Sequence, residues 1–176
     1  MGVVLLGYRG SGKTSVGMTL AKRRGMPFID LDTAIVTTAG MTIREIFAMR
    51  GEAAFRDLES AELVRAISLD AVISSGGGVI LREQNRIELN ASNHVRVYLR
   101  CDPAELHRRI HHDPATAANR PALTHLGGGI EEIESLLAQR EPLYRAVATA
   151  ELDVTRLNVD EVVDRIEQIM AGNAGE

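Results

Sequence analysis

A glycine-rich octapeptide directly after a short apolar run is the feature of this sequence that most limits its fold. The segment GYRGSGKT at residues 7–14 matches the phosphate-loop pattern G-x-x-x-x-G-K-[ST] in full. Residues 3–6 before it read as a buried strand, and residues 13–24 after it read as a helix that Gly25 closes. Strand, loop and helix in this order predict an α/β domain with a nucleoside triphosphate bound at the loop. The alternative is a glycine-rich turn with a chance Gly-Lys-Thr.

The residue types in this loop suit an anion. Its glycines let backbone N–H groups turn inward around a phosphate, and the helix that follows adds the positive end of its dipole. Lys13 can reach the β- and γ-phosphates, and the Thr14 hydroxyl can bind Mg²⁺. The candidate nucleotide-binding residues of the segment are Gly10, Ser11, Gly12, Lys13, Thr14 and Ser15.

Short apolar runs alternate with helical segments along the rest of the chain. Thr42 and Glu45 form a capping box that opens a helix, which the Gly51 region interrupts and which resumes from about 53 to 68. Further strands are predicted at residues 27–30, 71–74, 95–99 and 152–155. Further helices are predicted after Asp102, over 130–148 and after Asn158. Strands separated by helices predict a parallel sheet covered on both faces.

Two aspartates, Asp30 and Asp32, follow the predicted second strand. Ligands of open α/β sheets bind beyond the carboxyl ends of the strands, and residues two apart in an extended segment point the same way. We therefore expect both carboxylates to face the phosphates. One can hold Mg²⁺, and the other can accept a proton from an attacking hydroxyl or orient it. The alternative is a solvated turn with a helix cap.

Two further segments suit a small acidic substrate. Arg56 and Glu59 are three residues apart on a predicted helix, so their pairing can fix the guanidinium for a bidentate contact with a carboxylate. The glycines at residues 76–78 follow a strand directly, where the backbone can approach a ligand closely. The alternative for Arg56 and Glu59 is a surface ion pair, and the alternative for the glycines is a plain strand-to-helix turn.

Residues 113–129 have few periodic apolar side chains and contain two prolines and three glycines, which predicts a mobile loop. Arg120 within it can swing onto the phosphates when the loop closes, or it is a solvated loop charge. Arg140 lies just before Pro142, near a predicted helix break, and is a candidate functional residue. The alternative is that it belongs to a solvated helix face.

Composition narrows the classes of function. The net charge of −4 argues against a nucleic-acid-binding surface. The single Cys101 excludes an internal disulfide and a cysteine-based zinc site, and it fits a reducing cytoplasm. We expect neither a membrane helix nor a signal peptide, since the chain has no apolar run of about 20 residues and no basic leader. A chain of 176 residues suits one domain, and its size and charge are compatible with a monomer.

In combination, the segments GYRGSGKT, DLD, GEAAFRDLE, SGGG, NRPAL and REPLYR resemble the shikimate kinase family over roughly residues 3–170. The resemblance implies a three-layer α/β/α P-loop kinase fold, with a five-stranded parallel sheet and a mobile lid, in one domain over residues 1–176. It places substrate-binding helices at about 32–65 and the lid at about 112–129. It also implies transfer of the γ-phosphoryl group of ATP, with Mg²⁺, to the 3-hydroxyl of shikimate.

The resemblance suggests a role for each matching residue. Lys13 resembles the phosphate lysine and Arg120 the lid arginine, and both are expected to be catalytic together with Asp32. Thr14 and Asp30 look like the residues on the Mg²⁺ side. The arginine that packs on adenine is matched by Arg109, and the residue that orients the first substrate arginine by Glu59. The implied substrate-binding residues are Asp32, Arg56, Gly77, Gly78 and Arg140.

Two other functions share part of the pattern. A gluconate kinase has the phosphate loop and the lid, but it leaves the FR-x-x-E and R-x-PLYR segments unexplained. A non-catalytic nucleotide-binding protein is expected to have lost Lys13, Asp32 or the lid arginine, and all three are present.

Overall fold

The computed structural model describes residues 1–112 and 129–173. The strands in these ranges form one five-stranded parallel sheet in the order β2-β3-β1-β4-β5, which confirms the predicted fold class. They are β1 (Val3–Leu6), β2 (Phe28–Asp30), β3 (Val72–Ser74), β4 (Val95–Arg100) and β5 (Ala150–Asp153). The edge strand β5 lies two residues earlier than predicted, because Leu152 alone among its residues is buried and the apolar pattern there is weak.

Seven α-helices are described in the same ranges, and one short 3₁₀-helix, Val79–Leu81, follows β3. The helices are α1 (Lys13–Arg24), α2 (Leu31–Ala39), α3 (Ile43–Ile67), α4 (Glu83–Ala91), α5 (Pro103–His112), α6 (Ile130–Val147) and α7 (Val159–Asn173). Helix α4 was not predicted, because Asn85 and Leu89 are its only buried residues and give little helical periodicity. None of the helices in the described part of the chain is long and apolar enough to cross a membrane.

The central strand β1 explains the three layers. All four of its residues are fully buried, and successive side chains point to opposite faces of the sheet. Val3 and Leu5 pack with Leu20 of α1 and Ile166 of α7. Val4 and Leu6 pack with Leu63 of α3 on the other face. Because both faces are covered, the ligand cleft forms at the carboxyl ends of the strands.

Helix α3 is bent where the sequence predicted an interruption. Its first turn is held by the predicted capping box, in which Thr42 N donates to Glu45 Oε2 at 2.8 Å and Glu45 N donates to Thr42 Oγ1 at 3.2 Å. Gly51 then takes a φ of 79°, a left-handed conformation that kinks the helix. Beyond the kink, Arg56 and Glu59 of α3 lie against the glycines that follow β3.

The predicted break near Pro142 is wrong, since α6 runs continuously from Ile130 to Val147. Pro142 has no N–H that could donate a hydrogen bond to the carbonyl of Ala138. Both residues are exposed, so water can satisfy that carbonyl, and buried side chains such as Tyr144 and Val147 hold the last turn against the core.

Candidate active site

The phosphate loop connects the buried end of β1 to the first turn of α1. Gly10 and Gly12 have φ values of 83° and 92°, which an L side chain rarely adopts. Ser11 N donates to Tyr8 O at 3.2 Å and closes the turn between them. The loop therefore ends with its N–H groups at the positive end of α1, the geometry that binds phosphate.

Lys13 lies folded over this loop. Its Nζ donates to Gly7 O at 2.9 Å and to Tyr8 O at 2.8 Å, and the residue is only 8% exposed. These two hydrogen bonds fix the ammonium group of Lys13 beside the loop, where it lines the cleft. It also stabilises the loop by satisfying two carbonyl groups at the end of β1.

Three oxygen atoms meet where β2 and β3 end. Thr14 Oγ1 donates to Asp30 Oδ2 at 2.9 Å and lies 3.3 Å from Ser74 Oγ. Asp30 and Ser74 are register partners on adjacent strands, which is why they arrive together at the same edge. Hydroxyl and carboxylate oxygens are the ligands that Mg²⁺ prefers, so these residues fit a divalent cation beside a phosphate.

The prediction that Asp30 and Asp32 lie on one extended segment is wrong. Asp30 ends β2, and its Oδ1 accepts a hydrogen bond from Thr33 N at 3.2 Å, so this residue is the N-cap of α2. Asp32 consequently lies in the first turn of that helix. Both aspartates still line the same cleft, because the helix begins at the carboxyl edge of the sheet.

A cleft of about 710 Å³ opens above the loop. The predicted site residues that line it are Gly10, Gly12, Lys13, Thr14, Ser15, Asp30, Asp32, Gly77 and Arg109. Its lining also includes residues that were not predicted, among them Arg9, Thr33, Val36, Ile43, Ser74 and Ser75. The lining does not include Ser11, Gly78, Arg56 or Arg140.

Arg109 lies at the end of the cleft next to the start of α1. Its Nη1 is 3.9 Å from the position that a Cβ on Gly12 would take. Its Nε donates to Glu105 Oε1 at 2.7 Å, and its Nη2 donates to Val154 O at 3.0 Å. Hydrogen bonds from Arg108 and Arg109 lower the pKa of Glu105 to about 2, so this carboxylate stays ionised and holds the guanidinium in place.

The predicted pair of Arg56 and Glu59 forms, and it is largely buried. Arg56 Nη1 donates to Glu59 Oε2 at 2.6 Å, with side-chain exposures of 12% and 1%. Burial raises the pKa of Glu59, and the guanidinium groups of Arg56, Arg82 and Arg140 oppose that rise. Glu59 therefore lies among three arginines, of which Arg82 was not predicted.

The turn at residues 76–78 fits tightly against this pair. A Cβ on Gly78 would lie 2.5 Å from Arg56 Nη1, and a Cβ on Gly76 would lie 2.7 Å from Glu59 Oε1. The sequence predicts that these glycines allow the close approach of a ligand. In the structure, the protein's own ion pair lies against two of them, so an added Cβ at either position would displace that pair.

Arg140 on α6 lies near Glu59 and beside the phosphate loop. It is 8% exposed, and its guanidinium carbon lies 5.6 Å from the ring centroid of Tyr8 in the phosphate loop. One helical turn later on α6, the Tyr144 hydroxyl donates to Gly77 O. A Cβ on Gly77 would in turn lie 3.4 Å from Gly7 O. Both predicted substrate arginines are therefore on the same edge of the sheet as the phosphate loop.

The structure does not describe residues 113–128. Arg120 and most of the predicted lid therefore lie outside the described residues. Tyr8, Arg82 and Tyr144 were missed by the sequence analysis. Tyr144 lies within the quoted segment REPLYR and Tyr8 within the quoted segment GYRGSGKT, whereas no local pattern marks Arg82.

A phosphate loop, a buried lysine and a threonine–aspartate pair at the carboxyl edge of a five-stranded parallel sheet define a P-loop kinase. The family model for shikimate kinase matches residues 9–171 of this chain. The chain belongs to the shikimate kinase family and is an enzyme of the kinase class that uses ATP.

Individual relatives agree with this family. A shikimate kinase from Rhodopirellula baltica is 40% identical over 173 residues, which cover 98% of this chain and 91% of that protein. The structure of a shikimate kinase from Acinetobacter baumannii in complex with shikimate matches with a TM-score of 0.89 at 32% identity, covering 98% of this chain and 93% of that one. A gluconokinase structure from Sinorhizobium meliloti, at 23% identity and a TM-score of 0.58 over 93% of this chain and 87% of its own, shares the fold alone.

Proposed function

We propose that this chain transfers the γ-phosphoryl group of ATP to the 3-hydroxyl of shikimate, giving ADP and shikimate 3-phosphate. The observation that carries the proposal is the placement of Arg56 and Arg140 near Glu59, beside the glycine turn and at the sheet edge that also holds Lys13. Shikimate offers a carboxylate and neighbouring hydroxyl groups. Two guanidinium groups suit the carboxylate, because each can present a planar fork of N–H donors.

The nucleotide end of the site consists of residues 10–15 together with Arg109. In our proposal the loop N–H groups and the start of α1 bind the phosphates, and Lys13 contacts the β- and γ-phosphates. Arg109 packs on the adenine, which is consistent with its place beside Gly12. Thr14 and Asp30 would hold Mg²⁺, which would neutralise negative charge on the phosphates when bound.

The acceptor end consists of Asp32, the glycine turn and the two arginines. We assign Arg56 and Arg140 to the carboxylate and Asp32 to the reacting hydroxyl, whose proton it accepts or orients. Gly77 and Gly78 are assigned to backbone contacts with the ring. Support for Asp32 comes from its place in the cleft lining together with Lys13 and Thr14.

Phosphoryl transfer requires little covalent help from the protein, so alignment and charge neutralisation supply most of the catalysis. Lys13 supplies one positive charge from the loop. We assign a second to Arg120 in the lid at about 112–129. We further propose a single-domain enzyme of the cytoplasm without a nucleic-acid partner, because the length suits one domain, the single cysteine fits a reducing compartment and the net charge is −4. Its size and charge are compatible with a monomer.

The test is ADP release from purified protein across a panel of small hydroxy acids with ATP and Mg²⁺. Shikimate should be used with a kcat/KM at least a hundredfold above that of gluconate, and ³¹P NMR should place the phosphate on the 3-oxygen. Equal use of gluconate, or release of ADP that no acid stimulates, would contradict the proposal.

A further inference from the structure

Tyr144 is buried beside the proposed acceptor site, yet it lies outside the residues that the proposed function uses. Its side chain is fully buried, and its hydroxyl donates to the carbonyl of Gly77. Its ring stacks on Tyr98, with centroids 4.9 Å apart and an angle of 17° between the planes. The ring therefore packs in the core, while the hydroxyl alone reaches the glycine turn.

The hydroxyl of Tyr144 also faces Arg140, which precedes it by one helical turn on α6. Burial raises the pKa of Tyr144, while the Arg140 guanidinium opposes that rise through its charge and a side-chain hydrogen bond. The hydroxyl consequently stays protonated at neutral pH and can donate to the turn. It lies between a substrate arginine and the backbone of the turn.

The glycine turn connects this hydroxyl to the other substrate arginine. Gly77 O accepts from Tyr144, and the next residue, Gly78, lies against the Arg56 guanidinium, where a Cβ would be 2.5 Å from Nη1. A shift of the turn relative to α6 would therefore change the separation of the two guanidinium groups. A bidentate contact tolerates little change of this kind, because it needs fixed N–H directions.

We propose that Tyr144 is a positioning residue for the acceptor, whose hydroxyl ties α6 to the glycine turn and so sets Arg56 and Arg140 at the spacing that one carboxylate requires. This inference rests on the proposed function, since it assigns the two arginines to the shikimate carboxylate. The hydroxyl does not touch the substrate. It acts through the backbone of Gly77 and through Arg140.

Tyr144→Phe removes one oxygen atom and keeps the stacked ring. We expect the KM for shikimate to rise about tenfold, equal to about 1.4 kcal/mol, while the KM for ATP and the kcat change less than twofold. The matched control is Tyr98→Phe, because this hydroxyl is 3.4 Å from Glu141 Oε1 and does not reach the turn. In the control, both KM values should stay within twofold of wild type.

The measurement should be independent of any loss of stability. Shikimate binding is therefore titrated calorimetrically at 10 °C, with the concentration of folded sites taken from ADP titration of the same sample. Weaker shikimate binding with full ADP stoichiometry supports the inference. Unchanged shikimate binding in Tyr144→Phe, or equal weakening of both ligands, would overturn it.

A double-mutant cycle with Arg140→Lys tests the route of the effect. If Tyr144 acts through Arg140, the double variant should bind shikimate no more than twofold more weakly than Arg140→Lys alone. Additive losses would overturn the coupling. If the wild-type protein itself does not bind shikimate, the proposed function fails, and this outcome is distinct from a failure confined to Tyr144.

Discussion

Removal of the Arg56 guanidinium should weaken substrate binding and also leave a buried carboxylate with less compensation. Loss of one partner of a buried ion pair costs about 3–5 kcal/mol. Arg82 and Arg140 would remain near Glu59 in Arg56→Ala, so we expect the lower end, about 3 kcal/mol. For a chain of this size the melting temperature should fall by about 6–12 °C.

This loss of stability should depend on pH in a defined direction. Burial already raises the pKa of Glu59, and removal of Arg56 takes away the largest opposing influence, so the pKa rises further. The folded variant then binds a proton more readily than the unfolded chain does, and its stability falls as the pH rises. The deficit relative to wild type should be larger at pH 8 than at pH 5.5.

The double variant Arg56→Ala/Glu59→Gln separates stability from binding. Removal of the buried charge should restore most of the lost melting temperature and abolish the pH dependence of the deficit. The KM for shikimate should remain raised by about 100-fold, the value of one lost bidentate contact of about 3 kcal/mol. Thermal unfolding at both pH values and steady-state ADP release give these quantities. A deficit that is independent of pH, or unrelieved by Glu59→Gln, would refute the reasoning.

Three further predictions test other parts of the structure. Lys13→Met should lower the rate of phosphoryl transfer about 100- to 1,000-fold in single-turnover assays, and near wild-type turnover would contradict the role of the lysine. It should also lower the melting temperature by a few degrees, because two loop carbonyl groups lose their donor. Asp30→Asn keeps the hydrogen bond that caps Thr33 N but loses the negative charge, so the Mg²⁺ concentration for half-maximal activity should rise more than tenfold while the melting temperature is unchanged. An unchanged Mg²⁺ dependence would show that Asp30 is not part of the cation site. Burial lowers the pKa of His94, so wild-type stability should decline as the pH falls below about 6.5. His94→Gln should reduce that decline between pH 7.5 and pH 5.0, and an equal dependence of the melting temperature on pH in both proteins would show that His94 does not titrate with folding.

The sequence predicts best those features that depend on neighbouring residues. The apolar run of β1, the glycines after it and the first turn of α1 are contiguous, so one motif describes the phosphate loop. The capping box at Thr42 and the kink at Gly51 are equally local and are confirmed. By contrast, α4 buries only two residues and leaves almost no pattern to find.

Tertiary partners explain where the predictions were wrong or incomplete. Asp30 is extended as predicted, but it also caps α2, so Asp32 lies in a helix rather than in the same extended segment. Gly78 was assigned to ligand approach, and only the fold shows the Arg56 guanidinium against it. Tyr144 could not be distinguished from an ordinary core aromatic, because its partner Gly77 is 67 residues away in the chain.

The central claim is that the triphosphate binds at Lys13 and that a small carboxylic acid binds between Arg56 and Arg140 at the same edge of the sheet. A crystal structure with shikimate, Mg²⁺ and a non-hydrolysable ATP analogue tests it most directly. We predict that both guanidinium groups contact the shikimate carboxylate and that the 3-hydroxyl lies between Asp32 and the γ-phosphate. A carboxylate bound away from either arginine, or a 3-hydroxyl directed away from the γ-phosphate, would contradict this account.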